Sequence, residues 1–176
     1  IRNPSYYFKP CITWTLLSSS YFGARLNTGG GVFDVNGMSF FTNNDEYVLA
    51  FLLSKVAFSF LRMINPTLAF QVGDIQKLPL LDLKDEDREK IERNAQQAIS
   101  ISQFDWDAFE TSWGFKEFSL IDLRSKPSKL ELSWETWKKL CDANGEVLKA
   151  IEEENNQIFI NAYGLHNELT PEVPID

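Results

Sequence analysis

The chain has 176 residues, 44% apolar and 14% aromatic, which is enough for a sizeable core and too apolar for a disordered segment. It carries 17 Lys/Arg against 25 Asp/Glu, a net charge of −8, and that acidity weighs against a free-standing nucleic-acid binder, whose affinity comes from neutralising phosphates. Cys11, Cys141 and His166 form no CxxC and too small a set for a four-ligand zinc site, so the cysteines read as reduced thiols of a cytoplasmic protein.

The charge is unevenly placed. Residues 1–81 hold 6 Lys/Arg and 4 Asp/Glu, net +2, whereas residues 82–176 hold 11 and 21, net −10. Only the first part can face DNA without repulsion. The first residue is Ile1 and no signal or transit pattern opens the chain, so it reads as a piece of a longer protein.

In chain order, "YYFKPCITWTLL", 6–17, is strand-like in its second half. "SSSYFGARLNTGGG", 18–31, reads as a loop. "GVFDVNGMSFF", 31–41, alternates Val32 and Asp34 against Phe33 and Val35 before a turn at Asn36-Gly37. These stretches predict a small, twisted, mostly antiparallel sheet with long loops. A helix follows from about 45 to 64, started at Asn44 or Asp45 and stopped by Asn65-Pro66. It is apolar nearly all round and so predicted to be buried. Lys55 and Arg62 interrupt it too early for a membrane span. One or two short strands are expected over 65–81, ending at Pro79.

From residue 84 the period changes. Ile91, Ala95, Ala98 and Ile101 fall on one helical face, behind an acidic first turn that suits the helix dipole. A second short helix is expected over 105–113 and a polar linker over 122–131. The last element is a long helix with Ser133 as its N-cap and Gly164 at its end. Its seam runs Trp137, Cys141, Asn144, Leu148, Ile151, Asn155, Ile158, Ala162, the heptad spacing of a helix packed along a partner. Some ~29 residues at about 1.5 Å each make a rod of about 43 Å.

No catalytic set emerges. "NPSY", 3–6, has the outline of an amino-methyltransferase Asn-Pro-Pro-Tyr motif without its second proline, and reads as an extended lead into the first strand. "NTGGG" leads toward a strand, not into the helix N-terminus that a cofactor phosphate or carboxylate would need. The carboxylates of 85–92 and 152–154 read as solvated helix faces. Trp106, Trp113, Trp134 and Trp137, in acidic surroundings at helical spacing, read as core, and so does Trp14.

"FLLSKVAFSFL", then Asn-Pro-Thr, then "FQVGDIQKLPL" and a charged helix resemble the target recognition domain of type I restriction specificity subunits. With "YYFKPCITWTLLSSSYFGAR", "FDWDAFETSW" and "NNQIFINAYGLHNELTPEV", most of the chain resembles the region following the methyltransferase domain in the PglX-like adenine-specific DNA methyltransferases of BREX phage-defence systems. The resemblance implies an α+β target recognition domain at 1–81 and a helical spacer at 82–176. It also implies that the sheet and loops read double-stranded DNA. Catalysis, the transfer of methyl from S-adenosylmethionine to adenine N6, would then lie in the methyltransferase domain of the parent chain, with no cofactor bound by this piece.

On that footing Arg25 is the expected base reader, since a guanidinium donates bidentately to guanine O6 and N7. Ser18, Ser19, Ser20, Asn27 and Thr28 are expected in its loop as further base contacts, and Lys9 and Lys77 as phosphate contacts. The rival expectation is a protein-interaction module whose acidic helices bind another protein of a defence or restriction complex.

Overall fold

A computed structural model describes residues 3–121 and 130–174, and its architecture is α+β. A three-stranded antiparallel sheet is ordered β2-β1-β3, from β1 (Cys11–Trp14), β2 (Ala24–Asn27) and β3 (Ser39–Phe40). Among the described residues five α-helices follow: α1 (Asp45–Leu53), α2 (Lys55–Ile64), α3 (Val72–Ile75), α4 (Asp85–Trp106) and α5 (Leu130–Tyr163).

Strand alternation aims Ile12 and Trp14 at the core, where both are fully buried with Phe22, Leu49, Leu52, Leu61 and Phe70. The Trp14 indole Nε1–H has a partner there, donating to the Phe70 carbonyl at 2.9 Å. A second apolar cluster joins α1 and α2 to α4 and α5 through Phe51, Val56, Ile91, Phe159 and Ile160. Helices α1 and α2 both contribute to the two clusters, so this bent pair carries the sheet on one side and the long helices on the other.

The single helix expected over 45–64 is two, bent by 68° at Ser54. Buried Ser54 ends α1 and starts α2. Its hydroxyl donates to the Phe51 carbonyl at 2.7 Å and accepts from the Ala57 N–H at 3.2 Å. The freed Lys55 N–H is taken by Asn156 Oδ1 of α5 at 2.9 Å, so a tertiary contact sustains the break. Among the described residues no single helix is long and apolar enough to cross a membrane.

Asn65-Pro66 does stop the run. The strands expected over 65–81 reduce to one bridge, Leu17 with Ala69, and Val72–Ile75 form the short helix α3. Buried Asp74 organises this stretch. Its Oδ2 accepts from Asn65 Nδ2 at 2.8 Å and from the Gln71 N–H at 3.1 Å, while Asn65 Nδ2 also donates to the Ala69 carbonyl at 3.0 Å. Residues 31–38 are irregular, not a strand, because the Asp34 carboxylate accepts from the Asn36 and Gly37 N–H groups, both at 2.8 Å, and closes a turn there.

The expected 105–113 helix is absent: α4 runs to Trp106 and short turns follow. Of the polar linker, 122–129 lies outside the described residues. Ser133 is interior to α5 and caps nothing. The seam of α5 packs along α4, but burial is concentrated at Ile151, Asn155, Asn156, Phe159 and Ile160, and no residue of 130–150 is fully buried. Trp106, Trp113 and Trp134 are exposed, Trp113 completely, and the core reading fails for them: Trp113 lies in the turns after α4, and Trp106 and Trp134 lie at the end of α4 and the start of α5, where no residue of α5 up to 150 is fully buried.

Candidate nucleic-acid interface

Since Ile12 and Trp14 point inward, Cys11 and Thr13 point to the other face of the sheet. Residues directly opposite on neighbouring strands share a face. Thr13 stands opposite Arg25 on β2 and Ser39 on β3, and Cys11 stands opposite Asn27. The outer face therefore carries a row Arg25–Thr13–Ser39 with Asn27 and Cys11 beside it. A groove of about 130 Å³ crosses this face, with Thr13, Asn27 and Ser39 on its floor and Lys9, Tyr6 and Phe41 at its rim. Its lining includes one lysine and no carboxylate.

The rim is held by packed rings. Phe41 lies 4.7 Å from Tyr6 and 5.6 Å from Phe33, centroid to centroid. Lys9 Nζ sits 5.4 Å from the centre of the Tyr6 ring, a cation–π placement that leaves the lysine exposed. Gly29 makes the approach possible. It has φ 113°, and a Cβ there would stand 3.1 Å from the Phe8 carbonyl oxygen. The Phe8 N–H in turn donates to the Gly31 carbonyl at 2.9 Å, which ties the turn bearing Lys9 to the glycine loop.

Hydrogen bonds fix the polarity of the floor. Thr13 Oγ1 donates its proton to the Met38 carbonyl at 3.0 Å, and Ser39 Oγ donates to the Gly37 carbonyl at 3.3 Å. Asn27 Oδ1 accepts from the Gly29 N–H at 3.0 Å, which leaves its amide N–H groups free to donate outward. Arg25 is exposed and makes no ion pair with a described residue.

The expected site residues do not converge. Arg25 and Asn27 lie on β2, not in a loop, and only Thr28 remains in the following turn. Asn27, Thr28 and Lys9 gather at the Cys11 end of the sheet, with Arg25 along the strand from them. Ser18, Ser19 and Ser20 lie beyond the opposite, Trp14 end, about 10 Å away at the strand rise of about 3.4 Å per residue. There the Ser18 N–H is held by the Leu68 carbonyl at 3.0 Å and its hydroxyl accepts from the Ser20 N–H at 3.3 Å. Lys77 is exposed just after α3 and lines neither end of the groove. Reading loops for polar residues missed Thr13, Ser39 and the aromatic rim. The available signal was the Cys-Ile-Thr-Trp alternation, which assigns Thr13 to the outer face once Trp14 is placed inside.

"NPSY" is not an extended lead but a 3-10 turn at Pro4–Tyr6, with Asn3 left-handed at φ 53°. Gly29–Gly31 run into irregular chain, not into a helix N-terminus.

The long helices present the opposite electrostatics. Lys90 Nζ approaches Glu154 at 2.6 Å and Asn94 Nδ2 donates to Glu154 at 2.7 Å and to Asn155 at 3.0 Å, a polar clasp between α4 and α5. The donors from Lys90 and Asn94 hold the Glu154 carboxyl below the usual glutamate range.

No family model matches the chain. It is 38% identical, over 97% of its own length, to the adenine-specific methyltransferase PglX of Lacticaseibacillus casei (strain Zhang). It is 34% identical, again over 97% of its length, to the adenine-specific methyltransferase BrxX of Escherichia coli O9:H4 (strain HS). In each case the chain spans 14% of the relative's length.

Proposed function

We propose that this chain, similar over nearly its whole length to a segment of two adenine-specific methyltransferases, is the part by which a BREX-type enzyme reads double-stranded DNA. The observation that carries the reading is a cationic and polar sheet face on an otherwise acidic molecule. Arg25, Thr13, Ser39 and Asn27 stand in register there, and the groove beside them holds a lysine and no carboxylate. The sheet is small, its longest strands four residues, and in the major groove bases are told apart by donors and acceptors of the kind this face carries.

In this reading Arg25 donates to guanine and Asn27 and Thr28 contact neighbouring bases. Lys9 binds phosphate at the rim. Ser18, Ser19, Ser20 and Lys77, at the margins of the sheet, reach the flanking backbone or bases. Residues 1–81 form the reading domain and 82–176 the spacer that positions it, with α1 shared between their cores. S-adenosylmethionine and the chemistry at adenine N6 belong to the methyltransferase domain of the parent, which acts in the cytoplasm in phage defence.

The test is DNA binding by the full-length enzyme at several salt concentrations. Arg25→Ala should weaken cognate binding by about 1–3 kcal/mol and leave random DNA nearly unaffected. Lys9→Ala should weaken both alike and lower the salt slope by about one. Equal affinity of all three proteins for both DNAs would contradict the reading.

A second reading, contact with another protein of the defence system, is favoured by one feature. Trp106, Trp113 and Trp134 are exposed on the acidic part of the chain, and aromatic residues are enriched in protein–protein interfaces.

A further inference from the structure

The geometry points to Thr13, with Ser39 beside it, as an acceptor-only reader that selects a base carrying an exocyclic amino group in the major groove, adenine or cytosine, next to the guanine taken by Arg25. This rests on the outer sheet face being the DNA-reading face, and it assigns that face a base chemistry.

A free hydroxyl can donate or accept and so discriminates poorly between bases. Thr13 is not free. Its single proton is committed to the Met38 carbonyl at 3.0 Å, a contact linking β1 to the chain before β3, so the lone pairs are what remain for a ligand. Ser39 is biased the same way by the Gly37 carbonyl at 3.3 Å. Both residues are half-buried and line the groove floor, and neither carries a charge that would override this polarity.

The register then fixes the order of groups across the sheet. Arg25 on β2 offers donors, and Thr13 on β1 and Ser39 on β3 offer acceptors. Neighbouring strands lie about 4.8 Å apart, close to one base-pair rise of about 3.4 Å once side chains tilt. Donors from Arg25 meet the O6 and N7 acceptors of guanine. Acceptors one strand away meet an amino donor, cytosine N4 or adenine N6, in the same or the adjoining pair. Guanine O6 or thymine O4 placed there would face lone pair to lone pair. A floor of this polarity should therefore reject keto bases at that step.

The experiment is a cycle between Thr13 and the amino group, using the full-length enzyme and duplexes containing its own methylated site. At each pair adjoining the Arg25-dependent guanine, adenine is replaced by deoxynebularine or cytosine by the pyrimidin-2-one nucleoside. Each replacement deletes only the exocyclic amino group. At one position, deletion should weaken wild type and Thr13→Ser about five-fold, the worth of one hydrogen bond of about 1 kcal/mol, and leave Thr13→Val indifferent.

If Thr13→Val keeps the wild-type dependence, the inference is overturned. If Thr13→Val fails to fold, the wild type alone decides, because indifference to every such deletion overturns it equally. A separate arm replaces the guanine with 7-deazaguanine in wild type and Arg25→Ala. Loss of affinity in the first and none in the second keeps the DNA-reading face standing even when the Thr13 cycle fails. No loss in either removes the face itself, and with it this inference.

Discussion

The sheet end and the long-helix end of this molecule use polar groups in opposite ways. On the sheet, hydrogen-bonding groups are arrayed outward, while the apolar side of the same strands closes a core around Trp14 and Phe70. In the helix pair, polar groups are turned inward as a clasp, Asn94 and Lys90 to Glu154 and Asn155, and charge fills the outside. The difference teaches that net charge is a poor guide to partners in an asymmetric chain. The −8 of the whole masks a first part of +2 whose outer face has no need to repel a phosphate backbone.

The comparison can be broken first at its two cores. Trp14→Ala and Phe159→Ala each empty a fully buried aromatic site and should cost about 3–5 kcal/mol in thermal or denaturant unfolding. Because the two clusters meet through α1, α2 and Leu78 while Trp14 and Phe159 belong to different ones, the double variant should lose about the sum of the two costs. Strong non-additivity would mean one core, not two clusters joined through α1 and α2.

Next in size is Asp74→Ala. It strips Asn65 and the Gln71 N–H of a buried acceptor and should cost about 1–3 kcal/mol. Unfolding midpoints equal to the parent protein would show that the 65–75 loop holds its shape without that carboxylate. Smaller still is Leu148→Ala. The heptad seam alone gives it the full cost of a buried leucine, but Leu148 is only half-buried, so the loss should fall below about 2 kcal/mol. A loss of about 4 kcal/mol or more would mean that a partner covers this part of α5 in solution.

The smallest effect is on pH. Glu154 is held below the ordinary glutamate value of 4.5 by hydrogen bonds from Lys90 and Asn94. Its folded value is the lower one, so the unfolded chain binds more protons as the medium is acidified. Its contribution is present above about 4.5 and is lost as pH falls through the folded value. Glu154→Gln should flatten the acid limb of stability slightly, and an unchanged limb would remove the clasp from the account.

Legibility in the sequence followed how local each cause is. The Asn65-Pro66 stop, the acidic start of α4 and the burial of α1 depend on near neighbours, and all are readable from the residues. The 68° break at Ser54 is not, because serine is no strong breaker and the bend depends on Asn156, about a hundred residues on. The exposed tryptophans misled for a related reason: helical spacing says which residues share a face, not whether anything lies over it. The candidate site was half legible. Arg25, Asn27 and Lys9 stand out by type, but their alignment with Thr13 and Ser39 is a matter of strand register, which no spacing within a loop reveals.

In the function proposed above, the outer sheet face decides which DNA is methylated. Genome-wide mapping of methylated adenines in cells carrying the full-length enzyme tests it directly, with Arg25→Ala and Asn27→Ala compared with the parent and Glu154→Gln as a control on the helical side. The account predicts a motif relaxed at one position by each sheet variant and unchanged by the control. An identical motif in all four proteins, with methylation retained, would contradict it and leave the exposed tryptophans as the better guide to function.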